Sequence, residues 1–276
     1  MVPDFIEDQN GVEVPFQEIN NIFAQSSYHQ KLASMPRYDR FRPANVTPAE
    51  WIRWLGADVD NFKHMQLTYK LTWYFLEEHE KAHTTNLNED EKKILLMTSL
   101  VHDWGEAFTG DISFDLKTEA HEKEEILRLR QILAELLGNR FSETIRNQLA
   151  ETALSRNSKL GSMFNIIERI GYMRTCLNAW GARPTAKEVS LKNAFGWLAS
   201  NVAGNQIPPL LNVIEKYPPV RKYLGGVRGR INDLFLNMPT DIFNNHPEDQ
   251  RGGQAKKFAD AKKVWIESEY GQGPDY

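Results

Sequence analysis

Asn88-Glu89-Asp90-Glu91-Lys92-Lys93-Ile94-Leu95-Leu96-Met97-Thr98-Ser99-Leu100-Val101-His102-Asp103 carries a start signal, a body and an unusual end for one helix. Asn88 is a residue type that caps a helix by accepting from first-turn N–H groups. The three acids behind it suit the positive end of the helix dipole. Ile94 to Val101 is apolar all round, a pattern that belongs at the centre of a helical bundle. His102 and Asp103 then place two polar groups at the floor of that core, where an unpaired carboxylate is very costly. A metal ion would satisfy both. Adjacent helical residues diverge by about 100 degrees, so such an ion sits over the ridge between them and asks for ligands from other helices.

Outward from this segment, helical periodicity dominates, and no run of alternating apolar residues bounded by turn signals argues for a sheet. The spacing predicts helices over Phe16–Met35, Thr47 to about Leu55, Val59–Lys81, Lys117–Leu137, Ser142–Leu154 and Ser162–Ala179. An Arg-rich loop, Pro36 to Pro43, follows the first of these, bracketed by prolines that stop helices. From Ala186 to Asn237 two or three more helices are expected, with Pro208-Pro209 and Pro218-Pro219 as breaks. The reading is an all-α bundle: a helical core over 1–181, a helical extension packed on it over 182–245, and a polar tail over 246–276 whose short helix is loosely attached.

The 276 residues suffice for a sizeable core, and a net charge of −4 offers no broad basic surface for a nucleic-acid polymer. One cysteine, Cys176, excludes an internal disulfide, and no apolar run is long enough for a membrane span. The acidic start Met1 to Asn10 differs from a signal peptide, so the expected location is cytoplasmic.

Two further residues join His102 and Asp103. His64 shares a helix face with Leu67, Thr68, Leu71 and Phe75, and a histidine among core residues needs a partner. Glu168 lies on a helix with one apolar stripe, Met163, Ile166, Ile167, Ile170, Met173 and Leu177, and a second opposite face of Phe164, Tyr172 and Cys176. A carboxylate on that second face of a sandwiched helix needs a cation or a hydrogen-bond network.

His64, then His102-Asp103 after 38 residues, then an acid 65 further on, resembles the HD superfamily of metal-dependent phosphohydrolases. The string His102-Asp103-Trp104-Gly105-Glu106-Ala107-Phe108-Thr109-Gly110-Asp111 is similar to bacterial 5'-deoxynucleotidases, which carry Glu and Thr-Gly-Asp at these spacings. The resemblance covers roughly Phe16 to Ala179. It implies one divalent ion (Co, Mn, Zn, Fe or Mg) held by His64, His102, Asp103 and Glu168, with a water activated on it. It further implies Glu106 as general base or water-orienting group, Asp111 at the sugar hydroxyl or leaving oxygen, and a loop arginine with a following aromatic at the phosphate and sugar. Arg37-Tyr38 and Arg40-Phe41 both fit that last pattern, with Arg37 favoured. One departure stands out: the family's last ligand is normally aspartate in a context like Ala-Asp-Ala-Leu, where this chain reads Ile166-Ile167-Glu168-Arg169-Ile170.

Dinuclear HD enzymes require two more histidines between the His-Asp pair and the last acid, and only His121 lies in that interval. The resemblance therefore implies a mononuclear nucleotide phosphohydrolase, most simply a 5'-nucleotidase on deoxynucleoside monophosphates. A dNTP triphosphohydrolase, an HD-fold oxygenase and an inactive nucleotide-binding protein stay open as alternatives. The segment after Gly181 is open between a cover for the pocket, the subunit interface of a homodimer and a specificity element. Other histidines read as structural: His121 with Glu119, Glu122, Glu124 and Glu125 on an exposed face, and His79 and His83 as cations at a helix end. His29 and His246 have no context that suggests a role.

Overall fold

The computed structural model describes residues 4–8, 10–55, 60–84, 86–112, 116–244 and 253–272. Val59, His246, the Arg251-Gly252 pair and Gly273-Pro274 lie outside the described residues. Helices run over Phe16–Ala24 (α1), Ser27–Ser34 (α2), Pro48–Leu55 (α3), Asn61–Lys81 (α4), Glu89–Val101 (α5), Glu106–Thr109 (α6) and Glu119–Leu137 (α7). They continue over Glu143–Leu154 (α8), Lys159–Ala182 (α9), Val189–Asn212 (α10), Pro218–Gly226 (α11), Arg228–Asn237 (α12), Gln254–Glu267 (α13) and Glu269–Gln272 (α14). The described residues are all-α apart from one antiparallel hairpin, β1 (Phe5–Glu7) on β2 (Glu13–Pro15). Three-residue strands with only Ile6 and Val14 turned inward are too short to show alternation in the sequence.

Contacts divide the chain into two compact units. The first comprises residues 1–37 and 57–168, the second 38–56 and 169–276. In the first, α5 is the central helix, packed by α4, α8 and α1, and every residue from Ile94 to Val101 is buried. Its start is a capping box: Asn88 Oδ1 accepts from Glu91 N at 2.8 Å and Glu91 Oε2 accepts from Asn88 N at 2.9 Å. Such a cap contributes about 1 kcal/mol. The expected single helix over Phe16–Met35 is two helices. Ser26, in extended backbone with its hydroxyl turned back to Phe23 O, breaks the run.

His79 and His83 also depart from expectation. His79 is 3 % exposed, its Nδ1 lies 2.8 Å from Thr84 Oγ1, and burial pushes its pKa down to about 4. It is a neutral core side chain, because Phe75 and His79 sit one turn apart on the inward face of α4. His83 lies beyond α4, at φ 51°.

In the second unit α10 is the central helix, with buried residues around its circumference from Leu191 to Leu210. Pro208-Pro209 does not break it. The prolines fall in its last two turns, where few N–H bonds are lost, and buried Ile207 and Leu210 hold the end in place. Pro218-Pro219 instead opens α11, where proline's missing N–H costs nothing. Segment 38–56 packs on α10 through fully buried Phe41 and Trp51, the latter stacked 5.9 Å from Phe195. The helix of the tail is not loosely attached. Phe258, Ala261 and Trp265, three and four residues apart, form a buried stripe on α13 that packs along α10, hidden in a composition that is polar on average.

Candidate metal centre

Three helices of the first unit converge on one buried cluster. Asp60 caps α4 by accepting from Lys63 N at 2.8 Å, and the first turn so fixed presents His64, 2 % exposed. The end of α5 presents His102 and Asp103, 3 % and 5 % exposed. One donor atom from each of these three residues can be chosen so that all lie within 4.8 Å of one another. His64 Nε2 is 3.8 Å from Asp103 Oδ2, and His102 Nε2 is 3.3 Å from Asp103 Oδ1. From α9, Glu168 Oε1 stands 3.7 Å from His102 Nε2. The face of α9 bearing Glu168 is covered as expected, with Phe164 fully buried and its ring 5.2 Å from that of His102.

The orientation of His102 is set by its own helix. Ser99 O lies 3.1 Å from His102 Nδ1, and a carbonyl can only accept, so Nδ1 carries the proton. Nε2 is left facing Asp103 and Glu168, buried and without a hydrogen bond of good geometry among the described residues. A buried ring nitrogen facing two carboxylates needs a positive charge there, which a proton on the ring or a metal ion supplies. Two imidazoles and one or two carboxylates are a donor set suited to a borderline divalent ion. The residues present therefore fit a metal.

Arg37 is 5 % exposed and donates from Nη1 to Asp103 Oδ2 at 2.7 Å. Burial works against the Asp103 carboxylate, but His102 and Arg37 outweigh it and hold the pKa well below the ordinary aspartate value. Burial and then Arg37 push His64 well below the usual imidazole range, keeping it neutral as a ligand must be. Burial also disfavours charge on His102, but Asp103 and Glu168 overcome it and raise the pKa.

Glu106, at the start of α6, is 2 % exposed. Its Oε2 accepts from Asn61 Nδ2, and Lys117 Nζ lies 3.5 Å from Oε1. Burial, then Asp103 and Asp111, push its pKa well above the ordinary glutamate value. Asp111 is half-buried in the turn after α6, which Gly110 makes possible at φ 80°. Its N–H points to Met35 Sδ at 3.2 Å. Tyr38 and Arg40 belong to the second unit. Tyr38 holds a left-handed backbone at φ 59°, and Arg40 donates to Asn201 Oδ1 at 3.2 Å with its guanidinium over the Phe41 ring.

Three residues escaped sequence reasoning. Asn61 and Lys117 carry no signal in a single sequence. Glu125 was expected on an exposed face and is instead 3 % exposed, with Lys117 Nζ 2.7 Å from its Oε2. Its signal was the phase of α7: Glu125 stands four residues before Leu129 and seven before Ile132, on the buried stripe. A second set of buried acids results, because Asp103, Glu106 and Glu125 also offer oxygens within 4.8 Å of one another.

No family model matches the chain, and no curated protein or solved structure matches it either. No helix among the described residues is long and apolar enough to cross a membrane.

Proposed function

We propose that this chain is an HD-type, metal-dependent phosphohydrolase that releases orthophosphate from nucleotides, most simply deoxynucleoside 5'-monophosphates. The observation that carries this reading is the buried convergence of His64, His102 and Asp103, with His102 Nε2 turned toward Asp103 and Glu168. A divalent ion bound by these three and Glu168 supplies a Lewis acid for the phosphoryl oxygen and a water of lowered pKa. Arg37 brings a fixed positive charge to the same cluster, which favours a dianionic phosphate there and keeps Asp103 ionised. Glu106, held from two sides, is the proton-transfer carboxyl beside the donors. Asp111, on a turn that places it near Glu106, is the group for a sugar hydroxyl or the leaving oxygen. The spacing of Glu106 and Asp111 from His102 supports hydrolysis over metal storage.

The test is a panel of nucleoside mono-, di- and triphosphates assayed with Mn, Co, Mg and Zn, with elemental analysis of the protein as purified. Orthophosphate from monophosphates is expected. Tripolyphosphate from a dNTP would move the reading to a triphosphohydrolase, and oxygen-dependent turnover with two irons per chain would replace it with an oxygenase. No turnover with any metal, or full activity in His102→Ala, would refute it.

A further inference from the structure

We infer that Lys117 is a positioning residue: its ammonium, seated by Glu125, holds the Glu106 carboxylate in register with the donor cluster. The inference rests on the hydrolase reading and adds to it the source of that alignment. Asp103, Glu106 and Glu125 form a three-acid set whose oxygens lie within 4.8 Å of one another. The cation of this set belongs to the chain itself, since Lys117 Nζ lies 2.7 Å from Glu125 Oε2 and 3.5 Å from Glu106 Oε1. Asn61 donates to the other oxygen of Glu106, so the carboxyl is held by a hydrogen bond at Oε2 and by the Lys117 charge at Oε1.

The backbone is shaped for this arrangement. A Cβ at Gly105 would lie 2.6 Å from the main-chain oxygen of Glu125, so only glycine lets α7 come close enough to deliver Glu125. The ion pair itself sits on elements next to the donors, Lys117 just before α7 and Glu125 within it. A buried ion pair is weak evidence for stability, because apolar residues of similar volume often replace one without loss. That property separates a structural role from a positioning one. Removing both charges together spares the fold and deprives Glu106 of its anchor.

The experiment uses the full chain with Lys117→Met combined with Glu125→Leu, and reads melting, Mn content per chain, kcat and KM on the best nucleotide. Expected are cooperative melting, Mn content equal to wild type, KM within about threefold and kcat lower by about 10²-fold, the cost of a misplaced reacting group. Lys117→Ala, assayed with and without propylammonium, gives a second reading that does not depend on the double variant. Saturable recovery of kcat is expected, and its absence overturns the inference. Wild-type kcat in a folded double variant also overturns it and leaves the hydrolase reading intact. A wild-type chain inactive on every nucleotide overturns both.

Discussion

His102 Nδ1 and the main-chain oxygen of Ser99 are 3.1 Å apart at the end of α5, so a helix carbonyl decides which nitrogen of the imidazole faces the acids. The choice is made by backbone that no side-chain substitution at Ser99 removes. His102→Ala is expected to abolish Mn binding while the apolar body of α5 keeps the protein folded. The measurement is elemental analysis after dialysis, with melting followed by circular dichroism. Wild-type metal content in the variant would remove His102 from the centre.

Glu168 reaches the cluster from α9 with an arm one methylene longer than aspartate, and its oxygen is 3.7 Å from His102 Nε2. Glu168→Gln keeps the length and loses the charge. It should weaken Mn binding, and Glu168→Asp should weaken it as well by shortening the reach. Titration calorimetry on the metal-free chain decides this. Unchanged affinity in both variants would mean that His64, His102 and Asp103 hold the ion with water in place of the carboxylate.

Gly105→Ala forces a methyl to within 2.6 Å of a helix carbonyl, and neither partner is the end of a flexible side chain. Overpacking of this kind costs about 1–3 kcal/mol. A lower urea midpoint with unchanged slope is expected, together with reduced turnover because α7 carries Glu125. A variant as stable and as active as wild type would show that α6 and α7 part freely.

His79 is neutral in the folded chain, with a pKa of about 4 where the unfolded chain has the ordinary imidazole value near 6.5. Between these values the unfolded state binds the extra proton, so stability falls as pH drops from about 6.5 to about 4 and is fully present above that window. Urea unfolding at pH 7 and pH 5 should show a smaller loss in His79→Gln than in wild type. Equal losses would mean that the ring is solvated.

What could be read without coordinates followed the strength of local patterns. The all-apolar body of α5 and its Asn88 cap have no competing interpretation, and the central helix sits where they indicate. His64 and Glu168 were placed by helix phase together with the spacing of the HD resemblance. Glu125 carried the same kind of signal but was submerged in a run of charges, Glu119 to Glu125, where charge suggests solvent and only the downstream leucines give the phase. Lys117 and Asn61 act through long-range pairing, which leaves no trace in neighbouring residues. Pro208-Pro209 misleads for a different reason, since a proline's damage depends on its distance from the helix end and on what holds that end.

The donors of the centre are far apart along the chain, His64 on one helix, His102-Asp103 38 residues later and Glu168 65 beyond that. His64, His102 and Asp103 come from α4 and the end of α5, one packed pair, and Glu168 must be brought to them by α9, so the full set exists only once α9 is in place. Metal is therefore expected to act on unfolding more than on folding, since an interaction that only the assembled set makes slows unfolding and leaves the folding rate nearly unchanged. Chelation would then show as a shorter lifetime of the native chain rather than as a failure to reach it.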